Sequence, residues 1–413
     1  AYNGPIAVTD TNKPGTTYQG VVIRAAAFQN GFLGSPTNTH TYFVDANGAE
    51  KRYPGASVNA LAVDPARWAA LSGQKEAEGS LELFKPDTSL AFRSEMGIQV
   101  SGNYSRGFAQ QSHDVIYRDG YGASSVPNPK LFPARGYPTL KRYRLRDAGN
   151  DWGKAQMRDA FSHQLVRGSQ VGFLDFSPAV VFLNGKYWGY VETREKPVAQ
   201  YLADVYGTDP DTVDLVVYDY TGLRARDGTL VNYNTLLQWV ANHPMTVQAN
   251  YELLKSIVDV ENLAQYWVTE MFINNGDWPT NNMRLWRGQE LGAKWRWVLF
   301  DLDFAFGLVG TANDSRYGSI GAGPIGGMMA SLLKNPDFRT LFINACADMM
   351  SGYFTTQKMT TTLDAMVGQL QPLMQEHFVR WNLNGGSVNN WLNGPVKSMR
   401  DFIAAREPIF VSQ

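Results

Sequence analysis

Between Ile273 and Trp286 the chain reads INNGDWPTNNMRLW, which sets one carboxylate, Asp277, among four asparagines and two tryptophans. A second acidic island, FDLDFAFG, then supplies Asp301 and Asp303. An Asp, an Asn five residues on and a later Asp at a strand end form the set that phosphoryl transfer requires. The first Asp orients the accepting hydroxyl, the Asn holds a metal ion, and the second Asp holds the ion that bridges the phosphates. Asp277, Asn282 and Asp301 fill those places in that order. No His-Arg precedes Asp277 and no Phe-Gly directly follows Asp301, so the common kinase signature is missing around them. Taken singly, Asp277 also reads as a turn Asp bonding its own backbone, and Asp301 with Asp303 as a strand-end pair held by buried arginines. A hydrolase with paired carboxylates, Asp277 and Asp301, is a third reading. The Asn-rich setting and the Asp/Asn spacing favour metal binding over it.

These residues need elements to hold them. The apolar helical pattern VENLAQYWVTEMFINN stops at NNGD, and Pro279 prevents its continuation, which leaves Asp277 on a loop. KWRWVLFDLDFAFG reads as a buried strand running into Asp301 and Asp303, with alternation setting both carboxylates on one side and Leu302 on the other. Upstream, residues 1–100 read mainly as strands and turns, including GVVIRAAAF and HTYFVDANGAEKRYP, the latter broken by an Asn-Gly turn signal. A Pro/Gly/Ser-rich loop covers 119–138. LKRYRLRDA is a strand, and KAQMRDAFSHQLVRG reads as an amphipathic helix ending at Gly168. SPAVVFLNGKYWGYVETRE is a hairpin across Asn184-Gly185.

From about 197 the period turns helical, in PVAQYLADVYG, NYNTLLQWVANH and the segments after 328. The pattern predicts an α+β protein of two lobes, β-rich in its N-terminal half and mainly helical in its C-terminal half, with the site between them. Residues 1–90 form a β-rich N-terminal extension or subdomain. Residues 91–196 form a β-rich lobe with one helix, and 197–413 a mainly helical lobe carrying the catalytic and metal-binding loops.

At 413 residues the chain exceeds the usual single core, in keeping with two lobes. Lys+Arg 37 against Asp+Glu 38 leaves no basic footprint for nucleic acid. No apolar run approaches the ~20 residues of a membrane span. The single cysteine, Cys346, sits in the apolar LFINACADMM and reads as core, which excludes a disulfide framework. The chain begins at Ala1 without Met, as it would after removal of an upstream segment such as a signal peptide. GAGPIG, from Gly321 to Gly326, fits Gly-x-Gly-x-x-Gly, but the polar TANDSRYGSI before it is no strand, so a dinucleotide site is not expected. Gly307–Gly327 reads instead as a flexible substrate or activation loop.

From about Tyr53 to Glu407 the chain resembles the spore coat protein H-like (CotH) family of atypical, kinase-fold enzymes. The resemblance is carried by GNYSR at 102–106, LRDAGNDW at 145–152, MRDAF at 157–161, FLNGKYWGYVETRE at 182–195 and YGTDPDTVDLV at 206–216, with both acidic islands. It implies ATP- and Mg²⁺-dependent (or Mn²⁺-dependent) phosphorylation of serine on secreted or surface proteins, hence nucleotide and a protein acceptor as partners and an extracytoplasmic location. It implies Asp277 as the catalytic Asp, with Asn282, Asp301 and Asp303 as metal ligands. Trp295 would form one wall of an adenine pocket, with Tyr187 or Trp188 of the hairpin opposite, each face contributing ~1–3 kcal/mol. Arg106 and Arg146 would serve the nucleotide, with Arg158 as a further source of charge.

The chain departs from the family at Ser101, which replaces an Arg, at Gln110 and Gln111, which replace paired lysines, and at Phe300, which replaces a Trp. Loss of the lysines removes charge-assisted contacts from a phosphate site. Two readings follow: an active phosphotransferase, or a catalytically impaired pseudokinase serving as a surface or coat assembly module.

Overall fold

Alternating apolar residues build the first of two units, Ala1–Gly153 with Phe176–Glu195 and Val367–Trp391. The computed structural model describes residues 6–9, 17–31, 33, 35, 37–44, 52–71 and 75–413. The expected Asn47-Gly48 turn lies outside the described residues. Strands β1 (Val21–Ala25) and β2 (Asn38–Tyr42) form an antiparallel pair. A closed seven-stranded barrel follows, built from β3 (Ser57–Val63), β4 (Glu76–Phe84), β5 (Leu90–Ser101) and β6 (Ser112–Ile116). A short pair, β7 (Val126–Pro127) with β8 (Thr139–Leu140), ties off the Pro/Gly-rich loop. The barrel is completed by β9 (Arg142–Arg146), β10 (Phe176–Leu183) and β11 (Lys186–Arg194), in the order β10-β11-β9-β6-β5-β4-β3.

Residues two apart on one strand face face the same core: Leu61 and Val63, Leu81 and Leu83, Met96 and Ile98, Tyr143 and Leu145, Val181 and Leu183 are all buried in one cluster. The β10–β11 hairpin turns at Asn184-Gly185, whose φ values of +50° and +79° suit Asn and Gly. The barrel closes where β10 runs parallel to β3. Asn184 extends that closure, its Nδ2 donating to Val63 O and its Oδ1 accepting from Val63 N, both at 2.9 Å.

The second unit comprises Lys154–Asp175, Lys196–Met366 and Leu392–Gln413. The chain is α+β throughout, and this unit is helical around a four-stranded antiparallel sheet that the helical periods did not disclose. Its strands β12 (Val213–Asp219), β13 (Gly222–Asp227), β14 (Met283–Gly288) and β15 (Arg296–Val298) lie in the order β13-β12-β14-β15. The expected amphipathic helix ends at Leu165, not Gly168, and this helix, Arg158–Leu165, is buried at every position but Gln164, which makes it a core helix. Polar residues on its inner faces therefore have work inside the unit. Among the described residues no helix is long and apolar enough to cross a membrane. Cys346, on the helix Pro336–Gly352, is half-buried, and burial pushes its thiol up to about 11.

The helix Val260–Phe272 leads straight to the first acidic island. Its start is capped by Asp259, whose carboxylate accepts from Asn262 N at 3.1 Å. Its end leaves carbonyls without helical partners. Arg406, fully buried on the helix Lys397–Ser412, supplies them: its guanidinium donates to Met271 O (2.7 Å) and Phe272 O (2.8 Å). The same side chain donates to Ala312 O (2.7 Å) and Asp314 O (2.8 Å), beyond the second island. One cation thus fixes the chain on both sides of the acidic residues. Arg406→Leu should lower stability by roughly 3 kcal/mol, because it removes four charge-assisted hydrogen bonds at once, two of them to the buried residues Met271 and Phe272. Urea denaturation measures this; a loss under about 1 kcal/mol would show that the carbonyls find other partners.

Candidate functional site

Two backbone hydrogen bonds draw the acidic islands together. Phe306 N donates to Ile273 O at 3.0 Å, and Gly276 N donates to Phe304 O at 3.4 Å. The core helix Arg158–Leu165 adds a third hold, since Asp159 Oδ1 accepts from Leu302 N at 2.7 Å. Arg158, buried beside it, sets its Nε 3.5 Å from Phe306 O. Asn274, Asn282, Asp301 and Phe306 all take positive φ, between +48° and +59°. Such left-handed residues persist only where surrounding contacts over-determine the backbone.

Asp277 lies on the expected loop and is half-buried. Its Oδ2 accepts from Asn281 Nδ2 and Asn282 Nδ2, each at 3.1 Å. Its backbone N donates to Asn275 Oδ1 at 3.3 Å. Asn281 is anchored in turn, its Oδ1 accepting from Tyr220 N in the β12–β13 turn. Among the described residues nothing hydrogen-bonds Oδ1 of Asp277, so one oxygen is fixed and the other is open to a ligand. Burial raises the Asp277 pKa, the Asn281 amide opposes that rise, and the negative charge of Asp301 adds to it. A carboxylate so placed suits proton acceptance.

Asp301 is not at a strand end. β15 stops at Val298, and Asp301 turns left-handed at φ +59° as Asp159 captures the next backbone N–H. Strand alternation therefore does not reach it, and the expected side-by-side pair is not formed that way: Asp301 is half-buried, whereas Leu302 and Asp303 are both buried. The carboxylates of Asp277 and Asp301 are close enough to interact. Asn282 turns its Nδ2 to Asp277, which leaves its amide oxygen directed elsewhere. These oxygen donors, beside two like charges, fit a hard divalent cation. Among the described residues no three His, Cys, Asp or Glu side chains gather as a metal cluster, so such an ion would need oxygens brought by its substrate.

Trp295 belongs to the same unit but lies in its core. It is fully buried, its ring 5.0 Å from that of Tyr233, and its backbone pairs with Ile257 and Asp259. Trp295→Ala should thus cost about 3–5 kcal/mol of stability. Thermal melting tests this, and a near-normal melting temperature with weakened nucleotide binding would restore the ring to a pocket wall.

The other expected residues belong to the barrel unit. Tyr187 and Trp188 are neighbours on β11 and face opposite sides. Tyr187 is buried and stacks on Tyr53, while half-buried Trp188 meets Trp68 and Trp381 edge-on. One of the two at most can face a given base. Arg106, in the turn Tyr104–Gly107, makes no ion pair among the described residues, and its Nε is buried without a hydrogen bond. Arg146 is buried at the end of β9. Gln110 is fully buried, with its Nε2 donating to Tyr190 O (2.9 Å) and its Oε1 accepting from Trp152 Nε1 (3.0 Å). Gln111 donates to Arg106 O at 2.6 Å. Both glutamines are thus built into the barrel, and a lysine at 110 would bury an ammonium against an indole N–H.

Sequence reasoning missed a buried residue behind Asp277. Glu270, on the helix Val260–Phe272, accepts from Asn275 Nδ2 at 2.9 Å, and Asn275 holds the backbone of Asp277. Tyr266 also bonds it. Burial pushes the Glu270 pKa from 4.5 up to about 8, against the pull of Asn275 and Tyr266. No local pattern marks it, since an acidic residue four positions after Tyr266 on an apolar helix looks like a surface residue. The sign follows from the direction: the folded state holds this proton more tightly than the unfolded chain. The contribution of Glu270 to stability is full below pH 4.5 and declines as pH rises to about 8. Glu270→Gln, which cannot ionise, should gain stability over the wild type through that window and plateau above it. Melting curves from pH 4 to 9 test this, and a pH-independent difference would overturn it.

A family model described as CotH kinase protein matches residues 98–409. No curated protein matches the chain.

Proposed function

Because the chain belongs to the CotH kinase protein family, we propose that it is an ATP- and Mg²⁺-dependent phosphotransferase acting on serine hydroxyls of secreted or surface proteins. The kinase-like character comes with the family; the nucleotide, the ion, the acceptor and the extracytoplasmic location are our reading. In that reading the barrel unit and the helical unit are the two lobes of a kinase-like fold.

The observation that carries the proposal is Asp277, with Oδ2 held by two amides and Oδ1 open. Asp277 Oδ1 accepts the proton of the serine hydroxyl as the hydroxyl oxygen bonds to the terminal phosphorus and the bond to the departing nucleoside diphosphate breaks. Asn281 and Asn282 keep the carboxylate from rotating, and Asn275 keeps its backbone in place. Asn282, Asp301 and Asp303 would hold Mg²⁺ or Mn²⁺, which neutralises charge developing on the transferred group. Of the hairpin pair, half-buried Trp188 would take the base, and Arg106, which makes no ion pair among the described residues, would serve the phosphates.

A second reading is favoured by Gln110. Its amide is neutral and already spent on Tyr190 and Trp152, so it offers a phosphate neither charge nor a hydrogen bond, as a pseudokinase assembly module would allow.

Transfer of labelled γ-phosphate to serine-rich peptides separates these readings. Asp277→Asn should abolish turnover and leave nucleotide affinity nearly intact. Asp301→Ala should weaken metal-dependent nucleotide binding and turnover together. No transfer by the wild type, with no nucleotide-induced rise in melting temperature, would leave the assembly module.

A further inference from the structure

Arg284 is a buried cation that no carboxylate pairs with directly among the described residues. It follows Asn282 by two residues, on β14, and is only 8% exposed. Its guanidinium lies over the Phe300 ring, 4.0 Å from the centroid. Its one hydrogen bond among the described residues runs from Nη1 to the carbonyl of the preceding Met283, at 2.7 Å. It forms no ion pair among them. Asp301 and Asp219 lie near enough to favour its charge, while Arg224 and Arg226 lie near enough to oppose it. Asp219 is already committed, since Arg224 Nη1 donates to its Oδ1 at 2.7 Å and Nη2 lies 2.6 Å from its Oδ2.

The strand register explains how these groups meet. Arg224 on β13 pairs with Val217 on β12, which pairs with Arg284 on β14, so both arginines stand in one row across the sheet. Burial lowers the Arg284 pKa to about 10, which leaves it charged at neutral pH. Holding a guanidinium in so buried a place is costly, and among the described residues only its Nη1 has an acceptor. The cost falls when an anion accepts from the planar fork, and phosphate oxygens match that fork in geometry and charge. Stacking on Phe300 fixes the plane of the fork beforehand. Phe300 immediately precedes Asp301, so the fork and the metal-binding carboxylate share one support.

We propose that Arg284 is an anion-binding residue that receives the polyphosphate of the bound nucleotide beside Asp301. The assignment of that anion to a nucleotide rests on the phosphotransferase reading; the anion site itself rests on the geometry of Arg284.

Isothermal titration of the full chain with three probes in the presence of Mg²⁺ tests this: ATP, adenosine and inorganic tripolyphosphate. Arg284→Met keeps the stem against Phe300 and removes the charge. It should weaken ATP and tripolyphosphate by roughly ten- to a hundredfold, as loss of charge-assisted hydrogen bonds does, and leave adenosine unchanged. Arg284→Lys should fall between, since a point charge replaces the fork. If melting shows that Arg284→Met does not fold, Arg284→Gln is read in its place with the same expectation. Arg284-dependent binding of tripolyphosphate without binding of ATP would uphold the anion site and remove the nucleotide. Equal affinity of wild type and variant for both anions, or binding of neither by the wild type, would overturn the proposal.

Discussion

Like charges repel, and the arrangement of the helical unit depends on holding Asp277 and Asp301 near each other in spite of that. The force opposing their separation is not between the carboxylates at all. It lies in the backbone, where Phe306 N reaches Ile273 O and Gly276 N reaches Phe304 O, and in Asp159, which grips the chain at Leu302. Mutual repulsion shows in the raised proton affinity of Asp277, to which Asp301 contributes after burial. A protein whose loops were free to relax would let the two drift apart. Here the surrounding hydrogen bonds forbid it, and the site keeps a local excess of negative charge suited to a cation.

The rigidity is inherited from the core. The helix Val260–Phe272 is buried along nearly its whole length, so the loop that follows it starts from a fixed point. Asn262 near its start clamps β15, with its Oδ1 accepting from Trp297 N at 2.6 Å and its Nδ2 donating to Trp297 O at 3.2 Å. Asn262 therefore joins the strand that leads to Asp301 to the start of the helix that leads to Asp277, and Arg406 joins the end of that helix to the segment beyond the second island. Polar side chains do this joining inside an apolar interior. Each is effective because its hydrogen bonds are met, since an unmet group there would cost stability.

How much of this could be read in the sequence depended on distance along the chain. The loop carrying Asp277, the Asn282 five residues on and the Asn184-Gly185 hairpin were legible because each is a local pattern of a few residues. Strand alternation failed at Asp301 because the next residue, Leu302, donates its backbone N–H to Asp159, far away in the sequence, where the chain makes a left-handed turn. Trp295 read as a pocket wall because an aromatic residue near a site looks the same whether it meets a ligand or Tyr233. Arg284 and Glu270 went unnoticed for a related reason: their significance lies in burial and in the partners that tertiary structure assigns. The strands β12 and β13 were overlooked because the helical signal on either side is stronger than a short apolar run such as VDLVVYD.

The closure of the barrel has a consequence for biosynthesis. Asn184 and Val63, which meet where β10 joins β3, are separated by 121 positions in the chain. During translation β3 must wait for its parallel neighbour, with an unpaired edge exposed in the meantime. The wait is longer still for the unit as a whole, because its last segment, Val367–Trp391, emerges only after most of the second unit has been made. Contacts of such long range slow folding and favour interception of the nascent chain by chaperones. The first unit is thus finished late, and a fragment that stops short of Trp391 lacks part of it, however intact its barrel strands.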